Sequence, residues 1–190
     1  MSVIVSVHVG RPQPVRWVRS GRTSIEKATV SGPVAVGPLG LDGDEVSNRR
    51  HHGGPDKALY AFAREDLDRW AGTFGADVPD GTFGENLTTR GVDVNGAEVG
   101  ERWRIGADVV VEVTMFRTPC RTFQVWLGRQ GYDNRAWARR FAEDGRPGAY
   151  LRVVSPGLLR AGDAVEVVHR PGTGVTVSSW FGEVMRTPRG

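Results

Sequence analysis

The chain has 190 residues, 39% of them hydrophobic and 25% charged, which fits one ordinary globular domain and excludes wholesale disorder. Its 25 basic and 22 acidic residues leave a net charge of +3, and the basic residues come in short pairs without the clustered stripe of a nucleic-acid binder. The single cysteine, Cys120, excludes intrachain disulfides and also zinc or iron–sulfur sites built on several cysteines.

Apolar runs such as Val109-Val110-Val111 are too short for a transmembrane helix or a signal-peptide core. A cytoplasmic protein is expected, with neither nucleic acid nor membrane as partner. Only Lys27 and Lys57 are lysines, the other 23 basic residues being arginine. That skew reads as the codon bias of a GC-rich genome, and against it each lysine is a candidate for a specific role.

Along the chain, residues 2–9 alternate Val or Ile with Ser or His, as a half-buried strand does. Residues 16–25 give a short strand and a turn at Gly21. Residues 28–36 place Val30, Val34 and Val36 on one parity, interrupted by Gly32-Pro33. Residues 37–56 are dense in Gly, Pro, Asp, Asn and His and predict a long loop of the kind that carries function. From Pro55 the period turns helical through Ala58, Leu59, Phe62, Leu67 and Trp70, with Asp56 as cap and Gly72 or Gly75 as stop.

Asp80-Gly81 opens a turn into a strand at Leu87, and residues 99–106 form a hairpin element. Residues 108–116 alternate as a clear strand, 122–127 and 134–141 predict short helices, and 149–154 and 164–168 predict strands. A capped helix over 178–185 and a frayed basic end complete the chain. The fold expected from this succession is mainly β with helical insertions, a twisted β barrel.

Four patches carry unusual chemistry. His51-His52-Gly53-Gly54-Pro55-Asp56-Lys57 sets a glycine pair and a rare lysine at a helix start, which suits an anion; a Gly-rich loop with surface histidines is the plain alternative. Asp80-Gly81-Thr82-Phe83-Gly84-Glu85-Asn86-Leu87 combines a glycine able to take positive φ with polar groups beside an aromatic, although such strings also make ordinary turns. Arg117-Thr118-Pro119-Cys120-Arg121 follows a strand. A cysteine flanked by arginines is expected to have a depressed pKa and to act as a nucleophile or soft-metal ligand; otherwise it is a small core residue. Gly40-Leu41-Asp42-Gly43-Asp44-Glu45 lacks calcium-loop spacing and reads as a turn supporting the His51-His52 loop.

The order of these motifs resembles that of MOSC domains, named after the C-terminal part of molybdenum cofactor sulfurases, and in particular their small stand-alone bacterial members. The four motifs run from about residue 37 to 121, within a domain taken as residues 1–170, with residues 171–190 as a short extension. The resemblance implies a MOSC-type barrel that binds a molybdenum–pterin cofactor with Cys120 as metal ligand and catalytic residue. His52, Gly53, Gly54, Lys57, Asn86 and Arg117 are its implied cofactor-binding residues. Binding of pyridoxal phosphate is not expected.

The implied activity is reduction of a small N-hydroxylated compound, with electrons from a separate reductase because the chain carries no flavin or iron–sulfur motif. Two alternatives stay open: a carrier of persulfide sulfur on Cys120, and a module that binds the cofactor without turnover.

Overall fold

The computed structural model describes residues 1–187, and within them the chain is mainly β with a few helices. The basic end expected to fray reaches into residues 188–190, outside the described residues. The first third is built from short strands: β1 (Val3–Val9), β2 (Gln13–Pro14), β3 (Arg22–Thr23), β4 (Ala28–Thr29), β5 (Val34–Gly37) and β6 (Gly40–Leu41). A helical turn, α1 (Arg49–His52), and a 3₁₀ turn at Pro55–Lys57 lead into β7 (Leu59–Ala63), α2 (Arg64–Phe74) and β8 (Leu87–Arg90). The remainder comprises β9 (Arg102–Ile105), β10 (Val109–Phe116), α3 (Arg121–Arg129), α4 (Trp137–Asp144), β11 (Ala149–Ser155), β12 (Gly157–Leu159), β13 (Val165–His169) and α5 (Val177–Arg186).

Eight strands form one sheet in the order β13-β9-β10-β11-β7-β8-β1-β4. Every pair is antiparallel except β7 with β8, which are joined by the α2 crossover that a parallel pair requires. The named ladders run from β13 to β4 and do not by themselves form the closed barrel that was expected. An isolated bridge between Val3 and Ala164 joins β1 to the run entering β13, with Ile4 N–H donating to Asp163 O at 2.9 Å and Val165 N–H to Ser2 O at 2.8 Å.

The helix expected from Pro55 is a strand followed by a helix. Leu59-Tyr60-Ala61-Phe62-Ala63 lies between β11 and β8 and is buried at every position. A strand covered on both faces shows no alternation, so its apolar run merged with the true helical period of α2. Asp56 caps nothing there: α2 starts at Arg64, its N-cap Ala63 makes no side-chain hydrogen bond, and it stops at left-handed Gly75. The helix expected over 134–141 begins later, at Trp137, after Ala136 in the left-handed region. The long loop 37–56 contains β6 and α1, and the strand expected over 16–25 shrinks to Arg22–Thr23.

The core under the sheet is strongly aromatic where α2, α3 and α4 meet. Trp70, Phe83, Phe123, Trp137 and Phe141 are all nearly inaccessible, with Trp137 centred 4.9 Å from Trp70 and 5.0 Å from Phe123. Helix α5 is fastened by a capping box between Thr176 and Ser179 and drives fully buried Phe181 against Phe116 and Phe141. Burial of one such ring contributes about 1.5–3 kcal/mol, so α5 is part of the core. Among the described residues no helix is long and apolar enough to cross a membrane.

Candidate functional site

Loops from both halves of the chain converge on a cleft of about 810 Å³, open mouth included, whose lining contains Lys27, Asp44, His52, Lys57, Tyr60, Asn86, Arg117, Cys120 and Tyr150. Strand β10 delivers the reactive end. Arg117 follows its last residue, and Cys120 is the N-cap of α3, its Sγ accepting a hydrogen bond from Phe123 N–H at 3.4 Å. The half-buried sulfur thus sits at the positive end of a helix dipole.

The Arg117 guanidinium is buried, donates to the Phe83 carbonyl, and lies over the rings of Tyr60 at 4.8 Å and Phe123 at 5.1 Å. Stacking and that single carbonyl fix its plane while it faces the cleft.

The opposite wall comes from the His-Gly-Gly loop. His52 Nδ1 is 2.9 Å from the Tyr150 hydroxyl. Burial, helped by the charges of Arg117 and Lys57, lowers the His52 pKa to about 3, so the ring is neutral at physiological pH. Lys57 donates to the His51 carbonyl at 2.7 Å and lies 5.8 Å from the centre of the Tyr150 ring.

Gly53 and Gly54 lie outside the lining. The helix start expected there is one 3₁₀ turn, and Gly53 N–H already donates to Arg49 O at 3.1 Å. Gly54, at φ +98°, supplies the backbone reversal that brings Lys57 round. The anion cradle expected from this loop is therefore reduced to its lysine and histidine.

Asn86 lines the cleft, but its amide holds the walls together. Its Oδ1 accepts from Tyr60 N–H at 3.1 Å, and its Nδ2 donates to His8 O at 3.1 Å and to Asp44 Oδ2 at 2.9 Å. Asp44 in turn accepts from Gly10 N–H at 2.6 Å and pairs with Lys27 at 2.5 Å.

Lys27, Asp44, Tyr60 and Tyr150 are site residues that motif reading alone did not assign. The scarcity of lysine pointed at Lys27, and Asp44 lay in the Gly40–Glu45 patch, whereas nothing comparable in the sequence marks Tyr60 or Tyr150. Among the described residues no three His, Cys, Asp or Glu side chains converge to hold a metal ion.

Residues 48–166 match the model of the MOSC domain, which covers more than half of the chain. The chain belongs to the MOSC domain family. It is 30% identical over 169 residues to protein YiiM of Escherichia coli, covering 87% of this chain and 72% of YiiM. It is 27% identical over 176 residues to a reductase of Gibberella moniliformis, covering 89% of this chain but 30% of that protein. The crystal structure of YiiM from Geobacillus stearothermophilus superposes with a TM-score of 0.77 at 26% identity, covering 98% of this chain and 85% of that one. YiiM from Escherichia coli gives 0.73 at 25% identity, covering 100% and 80%. The cleft described above is thus a MOSC-domain cleft, with Cys120 and Arg117 inside the matched segment and Lys27 and Asp44 before it.

Proposed function

We propose that this MOSC protein binds a molybdenum–pterin cofactor in the cleft through Cys120 and reduces small N-hydroxylated compounds in the cytoplasm of a bacterium. The observation that carries the reading is the convergence of one cysteine, Cys120, with Arg117, His52 and Lys57 in a single cleft. The donor set fits the group: a pterin dithiolene brings two sulfurs, so one protein thiolate suffices. Its phosphate end needs cations, which Lys57 and Arg117 supply. When bound, the cofactor would supply two-electron redox chemistry. The kinship with a reductase adds support, and the bridge between β1 and the run before β13 supports a rolled, barrel-like sheet.

The protein's own groups set the conditions for that chemistry. Cys120 anchors the metal from a rigid helix start. Arg117 places fixed positive charge beside it, and His52, neutral with Nδ1 engaged by Tyr150, offers a hydrogen bond without competing for a proton. Reduction breaks the N–O bond, consumes two electrons and two protons, and releases the oxygen as water. The electrons come from a separate reductase.

The test is elemental and pterin analysis of protein made in a host that synthesises the cofactor, together with Cys120→Ser. Molybdenum in the parent, with loss of metal and turnover at an almost unchanged melting temperature in the variant, is the expected result. A Cys120→Ser protein that retains molybdenum and full turnover overturns the assignment.

A persulfide carrier is the second reading. Cys120 also borders a second groove, with Arg121, Gln124 and Asn134, through which another protein could reach the sulfur. It predicts a labile sulfur on the parent and none on Cys120→Ser, without dependence on molybdenum. Tight cofactor retention with no turnover under a chemical reductant would instead mark a binding module.

A further inference from the structure

Lys27 stands out in the floor of the cleft. It is one of two lysines in the chain, and its side chain is only 7% exposed. An ammonium this deep is costly unless it is paired. Asp44, itself 5% exposed, provides the pairing at 2.5 Å and is held by Gly10 and Asn86. An ammonium carries three N–H donors. Among the described residues Asp44 Oδ1 is the only hydrogen-bond partner of Lys27, while the side chain lines the cleft together with Arg117. The lining carries four basic side chains, Arg22, Lys27, Lys57 and Arg117, against two acidic ones, Asp44 and Glu45, so the cleft keeps a positive charge while the Lys27 ammonium has unfilled donors.

We propose that Lys27 is a ligand-binding residue of the cleft, its ammonium and the Arg117 guanidinium together receiving an anionic oxygen of a phosphate, carboxylate or similar small oxyanion. Asp44 is the positioning residue that fixes the ammonium. Burial, joined by the nearby charge of Arg117, lowers the Lys27 pKa, consistent with the two cations lying close together. The proposal rests on reading the cleft as a ligand site and not on which metal it serves. The oxygen belongs either to the phosphate of a cofactor or to an anionic group of the substrate.

Two lysines give two signals, so isotopic labelling at lysine makes Lys27 directly visible by NMR, with Lys57→Arg assigning the other signal. Titration of the full chain with inorganic phosphate and pyrophosphate should shift the Lys27 signal saturably. The charge-neutral double variant Lys27→Met with Asp44→Asn should weaken that binding about tenfold or more, as loss of a charge-assisted donor does. A Lys27 signal unmoved at saturating pyrophosphate overturns the proposal, as does a double variant that melts like the parent and binds equally well. If the double variant does not fold, the parent titration decides alone.

In protein made with cofactor, reduced pterin content of the double variant assigns the oxygen to the cofactor, and intact content with raised KM assigns it to the substrate; both support the site. A parent that never contains molybdenum but still shows the Lys27 shift removes the molybdenum reading and leaves this one standing.

Discussion

The Tyr150 hydroxyl on β11 lies 2.9 Å from His52 Nδ1 at the end of α1, tying together two segments 98 residues apart. Burial, with the nearby charges of Arg117 and Lys57, keeps His52 neutral, and burial chiefly does the same for His8, which is fully buried beside Ser6, Thr29 and Thr88. Burial lowers the His8 pKa to about 4 and that of His52 to about 3. The unfolded chain takes up protons near 6.5 where the folded one refuses them. Stability present above pH 6.5 is therefore lost as the pH falls toward 4 and 3. Histidine NMR titration should give midpoints near those values. A midpoint near 6.5 for either ring would show that its site is open to water. Tyr150→Phe should cost about 1 kcal/mol by chemical denaturation.

Lys57→Ala should lower cofactor retention while leaving the melting temperature nearly unchanged. The side chain is half-exposed and has one carbonyl partner, so its stability effect should stay within about 0.5 kcal/mol. Full cofactor occupancy in a variant that melts like the parent would remove Lys57 from the phosphate role.

Glu85 is fully buried. Its Oε1 accepts from Gly81 N–H at 2.6 Å and from Thr88 at 3.0 Å, while Oε2 has no partner among the described residues. Burial pushes its pKa up, so the folded protein keeps a proton that the unfolded chain releases above about 4.5. That contribution is full below the unfolded pKa and is lost as pH rises through the folded one. Glu85→Gln cannot ionise, so its melting temperature should gain on the parent as pH rises from 4 to 8, roughly the range in which carboxylates perturbed by burial titrate. Parallel profiles would show that the carboxyl ionises as freely folded as unfolded.

Gly84→Ala tests the wall behind Arg117. Gly84 has φ +72°, and an added Cβ would sit 3.4 Å from both Arg117 Nη1 and Ile25 Cγ1. The backbone strain alone should cost about 1–2 kcal/mol, and displacement of the guanidinium should weaken phosphate binding in protein that still folds. Unchanged stability and unchanged affinity together would show that this wall yields freely.

Strands with one wet face were legible. The alternation in β1 and β10 marked their extent because water on one side enforces it. Strand β7 was not, because both its faces are dry and any apolar residue serves. Cys120 could be found at a strand end from its neighbours in sequence. Its partners could not: Tyr150 and Lys27 reach the cleft through sheet order and loop closure, and no local spacing encodes either. Asp44 was seen as part of a supporting turn, and the structure shows what it supports, the Lys27 ammonium and the Asn86 amide.

Strand β1 pairs with β8 and β4, and its first residues hydrogen-bond to residues 162–165. A nascent chain therefore makes this strand well before residues 162–165, the last of its partners, have been synthesised. For that interval β1 is an open edge rich in valine, the kind of segment that pairs with the wrong chain. Expression of residues 48–166 alone would remove β1, Lys27 and Asp44 along with the tail helix that seals the core. Such a fragment should aggregate under conditions in which the full 190-residue chain stays folded.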